Sequence, residues 1–404
     1  MLVVGLNYAP EPVGIGPYTQ GLAEALDARG AKVEAVVGKP YYPQWQAYPG
    51  FARGWARANE GGVDVTRCPH YIPAAPSGFK RVLHLASFAL SAVVPALSAA
   101  VRRRGEQPEL VIAIAPALLS IPTAWLAARV AGARLWIHVQ DFEVEAALAT
   151  GLLSGPVTRL ARWLEGCLLR LGDHVSTISP QMCAKLAKKG VAPERTSELR
   201  NWADPRFAPD PAGAAALRAE WGLERCTVAL YSGNIARKQG IEILIEVARA
   251  LQDRADIAFV ICGEGPNRAA LEVLAEGLPN VQFHELQPAG RMGALLTMAD
   301  LHLLPQIADA ADLVLPSKLT NMLASGRAVV ATCEPGTGLY GEVAGCGMVV
   351  APGDAAALVA AVAALADDPV QRAEFGKAAL VRASERWSKD VIIDRTAARM
   401  AELA

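Results

Sequence analysis

One local pattern occurs twice in this chain of 404 residues and limits the folds open to it. An apolar, β-branched run at Leu2–Leu6 is followed by a loop rich in proline and glycine. Apolar residues at helical spacing then continue to Leu26, and a second apolar run lies at Val33–Val37. Strand, loop, helix and strand in this order start a βαβ unit, which implies a parallel sheet.

The second copy begins about 225 residues later. The strand-like run Val228–Tyr231 precedes the loop Ser232–Gly240, a segment with apolar residues at helical spacing, and the run Ile257–Cys262. We therefore predict an α/β protein with two doubly wound domains. The proline-rich stretch Asp204–Pro211 is the favoured linker between them.

Charge and cysteine content exclude some classes of function. Lys and Arg number 39 against 40 Asp and Glu, so the formal net charge is −1. This balance argues against a nucleic-acid protein that depends on a basic surface, but it leaves room for a local basic pocket. The seven cysteines form no C-x-x-C pair, which predicts reduced thiols in a cytoplasmic protein and no zinc site. No cationic leader precedes the first strand, and no signal peptide is predicted.

Two apolar segments raise the question of a membrane. Leu83–Val101 is almost wholly apolar and arginines follow it, which is borderline for a spanning helix of about 20 apolar residues. Val157–Arg170 mixes arginines with large apolar residues, as interfacial amphipathic helices do. Ordinary packing helices of an N-terminal domain show the same patterns, and this interpretation is the favoured one.

Two glycine-containing loops are candidates for binding an anion. Gly14 and Gly16 lie between a strand and a helix start, where backbone N–H groups favour negative charge. Thr19 takes the place of the third glycine in the dinucleotide fingerprint, so the two glycines make either a tight turn or a phosphate contact. The segment 233–240 offers two cations and two amides, which suit either a diphosphate or a solvated turn.

A helix start and a strand end supply further candidates. Ser317 is predicted to cap a helix N-terminus and to bring Lys318 to a second anion site. His138 and Asp141 lie at the C-terminal end of a predicted strand, where open α/β sheets bind ligands. Each is either a functional group or a packed or solvated residue. The other five histidines show no metal-ligand spacing, and three tryptophans are predicted to lie in the core: Trp136, Trp163 and Trp202.

These segments resemble the family 4 glycosyltransferases of the GT-B fold, most closely the branch that makes colanic-acid-type exopolysaccharides. The resemblance covers nearly the whole chain and is specific because its motifs occur in family order. The motifs are Tyr8–Tyr18, His138–Asp141, Ile178–Ser179, Asn201–Asp204, Ser232–Gly240, Gly263–Pro266, Pro316–Gly326 and Pro352–Asp354.

The resemblance implies two Rossmann-like domains facing each other across a cleft. Residues 1–203 would form an N-terminal acceptor-binding domain, on which the C-terminal helix 388–404 packs back, and residues 204–387 would bind the nucleotide sugar. The implied donor-binding residues are Gly14, Gly16, Asn234, Arg237, Gln239, Gly263, Glu264, Gly265, Asp309, Ser317 and Asn321. Lys318 and Lys238 would stabilise the departing diphosphate, and His138 and Asp141 complete the catalytic candidates.

The chain departs from the family pattern in its phosphate loop and in its paired glutamates. Asn234 replaces an arginine of that loop, and Gln239 replaces a lysine, with Lys238 one place earlier. Asn321 replaces the second glutamate, and its amide can still hydrogen-bond a ribose diol. Asp309, or alternatively Asp312, would serve in place of the first. These departures concern the positioning of the donor sugar and not the fold.

The implied reaction is a retaining transfer of a hexose or deoxyhexose from a GDP- or UDP-linked donor to a lipid-linked or oligosaccharide acceptor. The leaving phosphate would assist same-face attack, with no metal or other cofactor required. The resemblance places this reaction in exopolysaccharide biosynthesis in the cytoplasm, with peripheral contact at the inner face of the plasma membrane. Three alternatives stay open: a sugar-nucleotide epimerase, a phosphorylase and a non-catalytic glycan- or nucleotide-binding partner of a polysaccharide assembly complex.

Overall fold

The chain divides into two compact units, each with its own sheet. The computed structural model describes residues 1–12, 14–51, 54–75, 77–103, 105–145, 156–236, 239–307 and 315–403. The first unit is Met1–Arg200 with Ile392–Ala404, and the second is Asn201–Val391. The prediction of two doubly wound α/β domains is confirmed.

The first unit contains an eight-stranded sheet. Its strands are β1 (Leu2–Gly5), β2 (Glu34–Gly38), β3 (Ala56–Glu60), β4 (Val63–Cys68), β5 (Leu110–Ala115), β6 (Arg134–Val139), β7 (His174–Thr177) and β8 (Thr196–Glu198). They are ordered β3-β4-β2-β1-β5-β6-β7-β8, with β3–β4 antiparallel and the other pairs parallel. Every residue of β1 and β5 is buried, as expected for parallel strands covered on both faces.

The helices of the first unit connect these strands. They are α1 (Gly16–Asp27), α2 (Gly78–Ala100), α3 (Ile121–Ala131), α4 (Pro156–Leu169) and α5 (Pro180–Lys188). Helices α2, α3 and α4 lead from β4 to β5, from β5 to β6 and from β6 to β7, so all three step across the sheet in the same direction. Right-handed crossovers therefore place them side by side on one face, where α2 packs on α3 and α3 on α4.

The second unit contains a six-stranded parallel sheet. Its strands are β9 (Thr227–Ser232), β10 (Ile257–Cys262), β11 (Val281–His284), β12 (Leu301–Leu304), β13 (Ala328–Thr332) and β14 (Gly347–Val350). The order is β11-β10-β9-β12-β13-β14. The chain starts at β9, builds outward to β11, and returns to β12 on the other side of β9, so the sheet has a switch point between β9 and β12.

The helices of the second unit cover both faces of its sheet. They are α6 (Pro211–Trp221), α7 (Glu242–Ala250), α8 (Arg268–Leu274), α9 (Met292–Met298), α10 (Ser317–Ala324), α11 (Gly338–Val343), α12 (Ala355–Asp367) and α13 (Pro369–Arg386). The last helix, α14 (Lys389–Leu403), begins in the second unit and ends in the first, because the division falls after Val391.

The apolar pattern of the sequence correctly predicted strands in both sheets, and two of the three tryptophans predicted to lie in the core are buried. The predicted strand Ile257–Cys262 is β10, and the run predicted at Val33–Val37 is displaced by one residue. Trp136 and Trp202 are buried, as predicted. The core prediction for Trp163 is wrong, because this residue is 62% exposed on the face of α4 away from its buried leucines.

Candidate functional site

Loops that carry four of the predicted donor-binding residues lie at one edge of the second sheet. Strands β10, β9 and β12 are parallel neighbours, so the segments 263–267, 233–236 and 305–307 leave the sheet at the same C-terminal edge. This edge contains the switch point between β9 and β12, which is where open α/β sheets bind ligands.

Lys318 brings a cation to this edge from the first turn of α10. Its Nζ lies 4.0 Å from the centre of the Tyr231 ring. A Cβ on Gly233 would lie 3.5 Å from the Cδ of Lys318, so the lysine chain runs against the loop after β9. Burial lowers the pKa of Lys318 to about 7, and no charged neighbour in the described part of the chain counters that shift. A lysine with such a lowered pKa is suited to bind an anionic ligand, because a nearby negative charge would favour its protonated form.

Ser317 does not cap the helix, so that part of the prediction is wrong. Helix α10 begins at Ser317 itself, with Pro316 in the N-cap position and no side-chain capping bond. Pro316 is extended just before the first turn and takes the N-cap position, so the helix starts one residue earlier than a Ser317 cap would place it. Ser317 is exposed at this helix start, and its contact with a diphosphate stays a prediction.

Gly263 and Gly265 let two loops pack backbone to backbone. Their φ angles are +151° and +159°, and a Cβ on each would lie 1.9 Å from the Gly233 carbonyl oxygen and 2.2 Å from the Ile235 carbonyl oxygen. The amide of Ile235 donates to the Glu264 carbonyl at 2.8 Å, which extends the β9–β10 pairing into the loops. The glycines therefore have a packing role whether or not they also lie near a base.

The loop after β9 is held by a residue that the sequence pattern did not indicate. The Tyr231 hydroxyl donates to the Asn234 carbonyl oxygen at 2.7 Å, while its ring supports Lys318. The one signal available was an aromatic residue near the end of an otherwise aliphatic strand. Asn234 is exposed and Gln239 is partly buried. Four further candidate residues lie outside the described residues: Arg237, Lys238, Asp309 and Asp312.

Asn321 and Glu264 both have partners within the second unit. The Oδ1 of Asn321 accepts the Asp204 amide at 2.8 Å, which ties α10 to the start of this unit. The Glu264 carboxylate accepts from Arg268 at 2.7 Å. A ribose contact by Asn321 would therefore use its amide N–H groups, and it stays a prediction.

In the first unit, a buried glutamate ties the glycine loop after β1 to the loop after β2. Glu11 is 2% exposed; its Oε1 accepts the amides of Tyr41 and Tyr42 at 3.0 Å each, and its Oε2 accepts Asn7 Nδ2 at 2.8 Å. A Cβ on Gly16 would lie 3.1 Å from Glu11 Cβ, so close packing favours glycine there. Burial raises the pKa of Glu11. The sequence pattern missed this role.

Gly14 has its own reason to be glycine, because its φ is +76°, a left-handed conformation. A Cβ on Gly14 would also lie 3.2 Å from the Tyr42 ring. Both observations account for a tight turn, and phosphate contact by Gly14 and Gly16 stays a prediction.

His138 is enclosed within the first sheet. It is 2% exposed on β6, and its Nδ1 lies 2.9 Å from the Ser176 hydroxyl, which also accepts Trp136 Nε1 at 2.7 Å. Burial lowers the pKa of His138 to about 3, so the ring is neutral at physiological pH. This geometry accounts for a packed histidine. Asp141 is exposed just beyond the strand end, and a catalytic role for either residue stays a prediction.

Glu143 is a second carboxylate whose role the sequence pattern missed. It accepts the Leu118 amide at 2.8 Å and the Ala117 amide, and so holds the turn after β5 from the loop after β6. Ala117 has a φ of +125° there. Burial raises the pKa of Glu143 to about 7. No cluster of three or more His, Cys, Asp or Glu that could hold a metal ion occurs among the residues placed in the structure.

The chain matches known family descriptions over both of its halves. Residues 13–202 match the Glycosyl transferase 4-like domain, and residues 215–382 match Glycosyl transferases group 1. The chain is 42% identical over 375 residues to a protein of Escherichia coli (strain K12) named as the colanic acid biosynthesis glycosyl transferase WcaI, covering 90% of this chain and 91% of that one.

Two further similarities are more distant. The alpha-D-kanosaminyltransferase of Streptomyces kanamyceticus is 28% identical over 285 residues, which are 68% of this chain and 72% of that one. The crystal structure of Anabaena Alr3699/HepE in complex with UDP-glucose superposes with a TM-score of 0.70 at 17% identity and full coverage of both chains. The last similarity concerns the fold alone.

Proposed function

Because this chain is a family 4 glycosyltransferase with the GT-B fold, we propose that it moves a hexose or deoxyhexose from a nucleotide-diphosphate donor to a lipid-linked or oligosaccharide acceptor. The relative named for colanic acid biosynthesis, at 42% identity over 90% of the chain, supports a place in exopolysaccharide biosynthesis. The UDP-glucose bound by the Anabaena protein supports a nucleotide sugar as the donor class.

The observation that carries the proposal is the position of Lys318. Its ammonium lies at a helix N-terminus, beside the glycine loop after β9, at the switch edge of the second sheet. A helix start and a desolvated cation beside a glycine loop are together suited to bind a diphosphate.

The proposed chemistry needs stabilisation of the leaving group above all. Breaking the bond between the anomeric carbon and the diphosphate oxygen leaves negative charge on that oxygen, and Lys318 would stabilise it most in the transition state. Lys238 and Arg237 would add charge from the same loop region. Retention would follow if the acceptor attacks from the face that the diphosphate leaves, with its proton passing to a phosphate oxygen. This route uses no metal and no protein nucleophile.

The first unit is the proposed acceptor side. Glu11 and Glu143 hold the loops after β2 and β5 by backbone amides at its C-terminal sheet edge, and Gly14 and Gly16 lie in the loop after β1. A lipid-linked acceptor would be met at the cytoplasmic face of a membrane, which is where we propose that the protein works.

The proposal is tested by transfer assays with UDP-, GDP-, ADP- and dTDP-sugars and a lipid-diphosphate-linked saccharide. With the accepted donor, Lys318→Ala should lower kcat about 10²-fold or more. The matched control is Lys377→Ala, because Lys377 is exposed on α13 and pairs only with the neighbouring Glu374 in the described structure. Equal turnover by both variants and the wild type would refute the role of Lys318. Thermal protection by a donor without any turnover would refute the transfer reaction.

A further inference from the structure

Three adjacent helices of the first unit expose large apolar side chains on their outer surface. Helices α2, α3 and α4 lie side by side on one face of the sheet. Their large apolar residues that are at least 40% exposed are Phe79, Val82, Leu83, Leu90, Val94, Leu126, Val130, Val157, Leu160, Trp163 and Leu164, joined by Val101 directly after α2. We call this surface the three-helix face.

The apolar residues of α2 form a continuous stripe. Phe79, Leu83, Leu90, Val94 and Val101 follow one another at steps of four and seven residues, which keeps them on one side of a helix. The stripe runs for about 33 Å at about 1.5 Å per residue. The opposite side, with His84, Phe88 and Ala92, is buried against the sheet, so the stripe is a second apolar side that the core does not use.

The charges on this face are of one sign. Lys80 on α2, Arg129 on α3, and Arg159 and Arg162 on α4 are all exposed. The sequence of these three helices contains one acidic residue, Glu165, which is buried and paired with Lys189. The whole chain has a net charge of −1, so the positive charge is a property of this face.

The topology decides how such a face could meet a membrane. Helix α2 is the one helix in the described structure that is long and apolar enough to cross a bilayer, judged by length and composition. It connects β4 to β5, however, and both strands belong to the same sheet. A spanning α2 would put them on opposite sides of the bilayer, so α2 has to lie along a membrane and not through it.

We propose that the three-helix face binds the surface of a bilayer that contains anionic lipids. The apolar stripe would enter the boundary between headgroups and acyl chains, and the lysine and arginines would contact the phosphates. A second copy of this chain fits less well, because a symmetric contact would bring arginines against arginines. The inference rests on the proposed function only for what the membrane presents, namely the lipid-linked acceptor.

The experiment measures sedimentation of the full chain with vesicles, without donor or acceptor. We expect binding to phosphatidylcholine vesicles that contain phosphatidylglycerol, and little binding to phosphatidylcholine alone or at high salt. The triple variant Phe79→Ser/Leu90→Ser/Trp163→Ser should lower the partition constant about tenfold or more. The control Val273→Ser/Leu286→Ser removes exposed apolar residues from the second unit and should bind as the wild type does.

The variant Arg159→Gln/Arg162→Gln tests the electrostatic contribution to binding, because it removes two charges and keeps the apolar residues. It should lower binding to anionic vesicles and leave the melting temperature unchanged. Equal sedimentation of wild type and triple variant would overturn the proposal. So would a wild-type dimer in solution that the triple variant dissociates, because the face would then bind a second copy. Transfer to a soluble acceptor should be unchanged in the triple variant. Loss of the proposed transfer activity and loss of vesicle binding are therefore observed separately.

Discussion

Donor binding should draw a proton onto Lys318. Burial lowers the pKa of this lysine from 10.5 to about 7. At about 1.4 kcal/mol per pKa unit, the protonation equilibrium is shifted toward the neutral form by roughly 5 kcal/mol relative to a solvent-exposed lysine. A diphosphate beside Nζ favours the charged form again. At pH 8 the free site is about one-tenth protonated, so binding should take up about 0.9 proton, against about 0.1 proton at pH 6.

Isothermal titration calorimetry in buffers of different ionisation enthalpy measures this uptake. The ligand should be an intact nucleotide sugar, because its diphosphate is esterified at both ends and has no group that titrates near neutral pH. Lys318→Arg is the matched variant, since it keeps the charge but does not titrate in this range. Uptake at pH 8 should disappear in that variant, and its donor affinity should no longer fall as pH rises from 7 to 9.

Stability without a ligand gives an independent check on the sign. The pKa of Lys318 is lower in the folded protein than in the unfolded chain, so the unfolded chain binds more protons between pH 7 and 10.5. The free energy of unfolding should therefore rise with pH over this window by the contribution of Lys318. If wild type and Lys318→Arg take up the same number of protons at pH 8, another group is responsible and the reasoning fails.

Two further changes test the loops around the candidate site. Burial raises the pKa of Glu143 to about 7, so the folded protein binds more protons than the unfolded chain between pH 4.5 and 7. The free energy of unfolding therefore contains a contribution from Glu143 that is lost as pH rises through that window. Glu143→Gln should flatten the dependence of the melting temperature between pH 5 and 8, and an unchanged slope would contradict the assignment. Gly265→Ala should lower the free energy of unfolding by about 2–4 kcal/mol, because its Cβ would lie 2.2 Å from the Ile235 carbonyl oxygen. Gly277→Ala, with a positive φ but no atom within 4 Å, should cost about 1 kcal/mol in the same denaturation experiment, and equal losses would exclude the clash.

The two sheets were predictable from the sequence because buried parallel strands need continuous apolar runs, and these are visible at Ile257–Cys262 and its counterparts. Glycines between strands and helices also marked the loops correctly. The start of α10 was misplaced by one residue because serine and proline both suit a helix start. The exposure of Trp163 could not be predicted, since an apolar residue on an amphipathic helix is read as a core residue unless its neighbours in space are known.

The residues that shape the candidate site were hidden for a different reason. Glu11, Glu143 and Tyr231 bond to backbone groups of loops, and such partners have no side-chain signature in a sequence. These hydrogen bonds can be recognised only in the folded protein, where the sheet topology brings the ends of neighbouring parallel strands to one edge. In the second unit these internal bonds leave Lys318 as a cation that no neighbouring charge stabilises in the described structure. Among the described residues no charge compensates this lysine, so we expect a bound anion to do so, and a proton count on donor binding is the direct measure of that expectation.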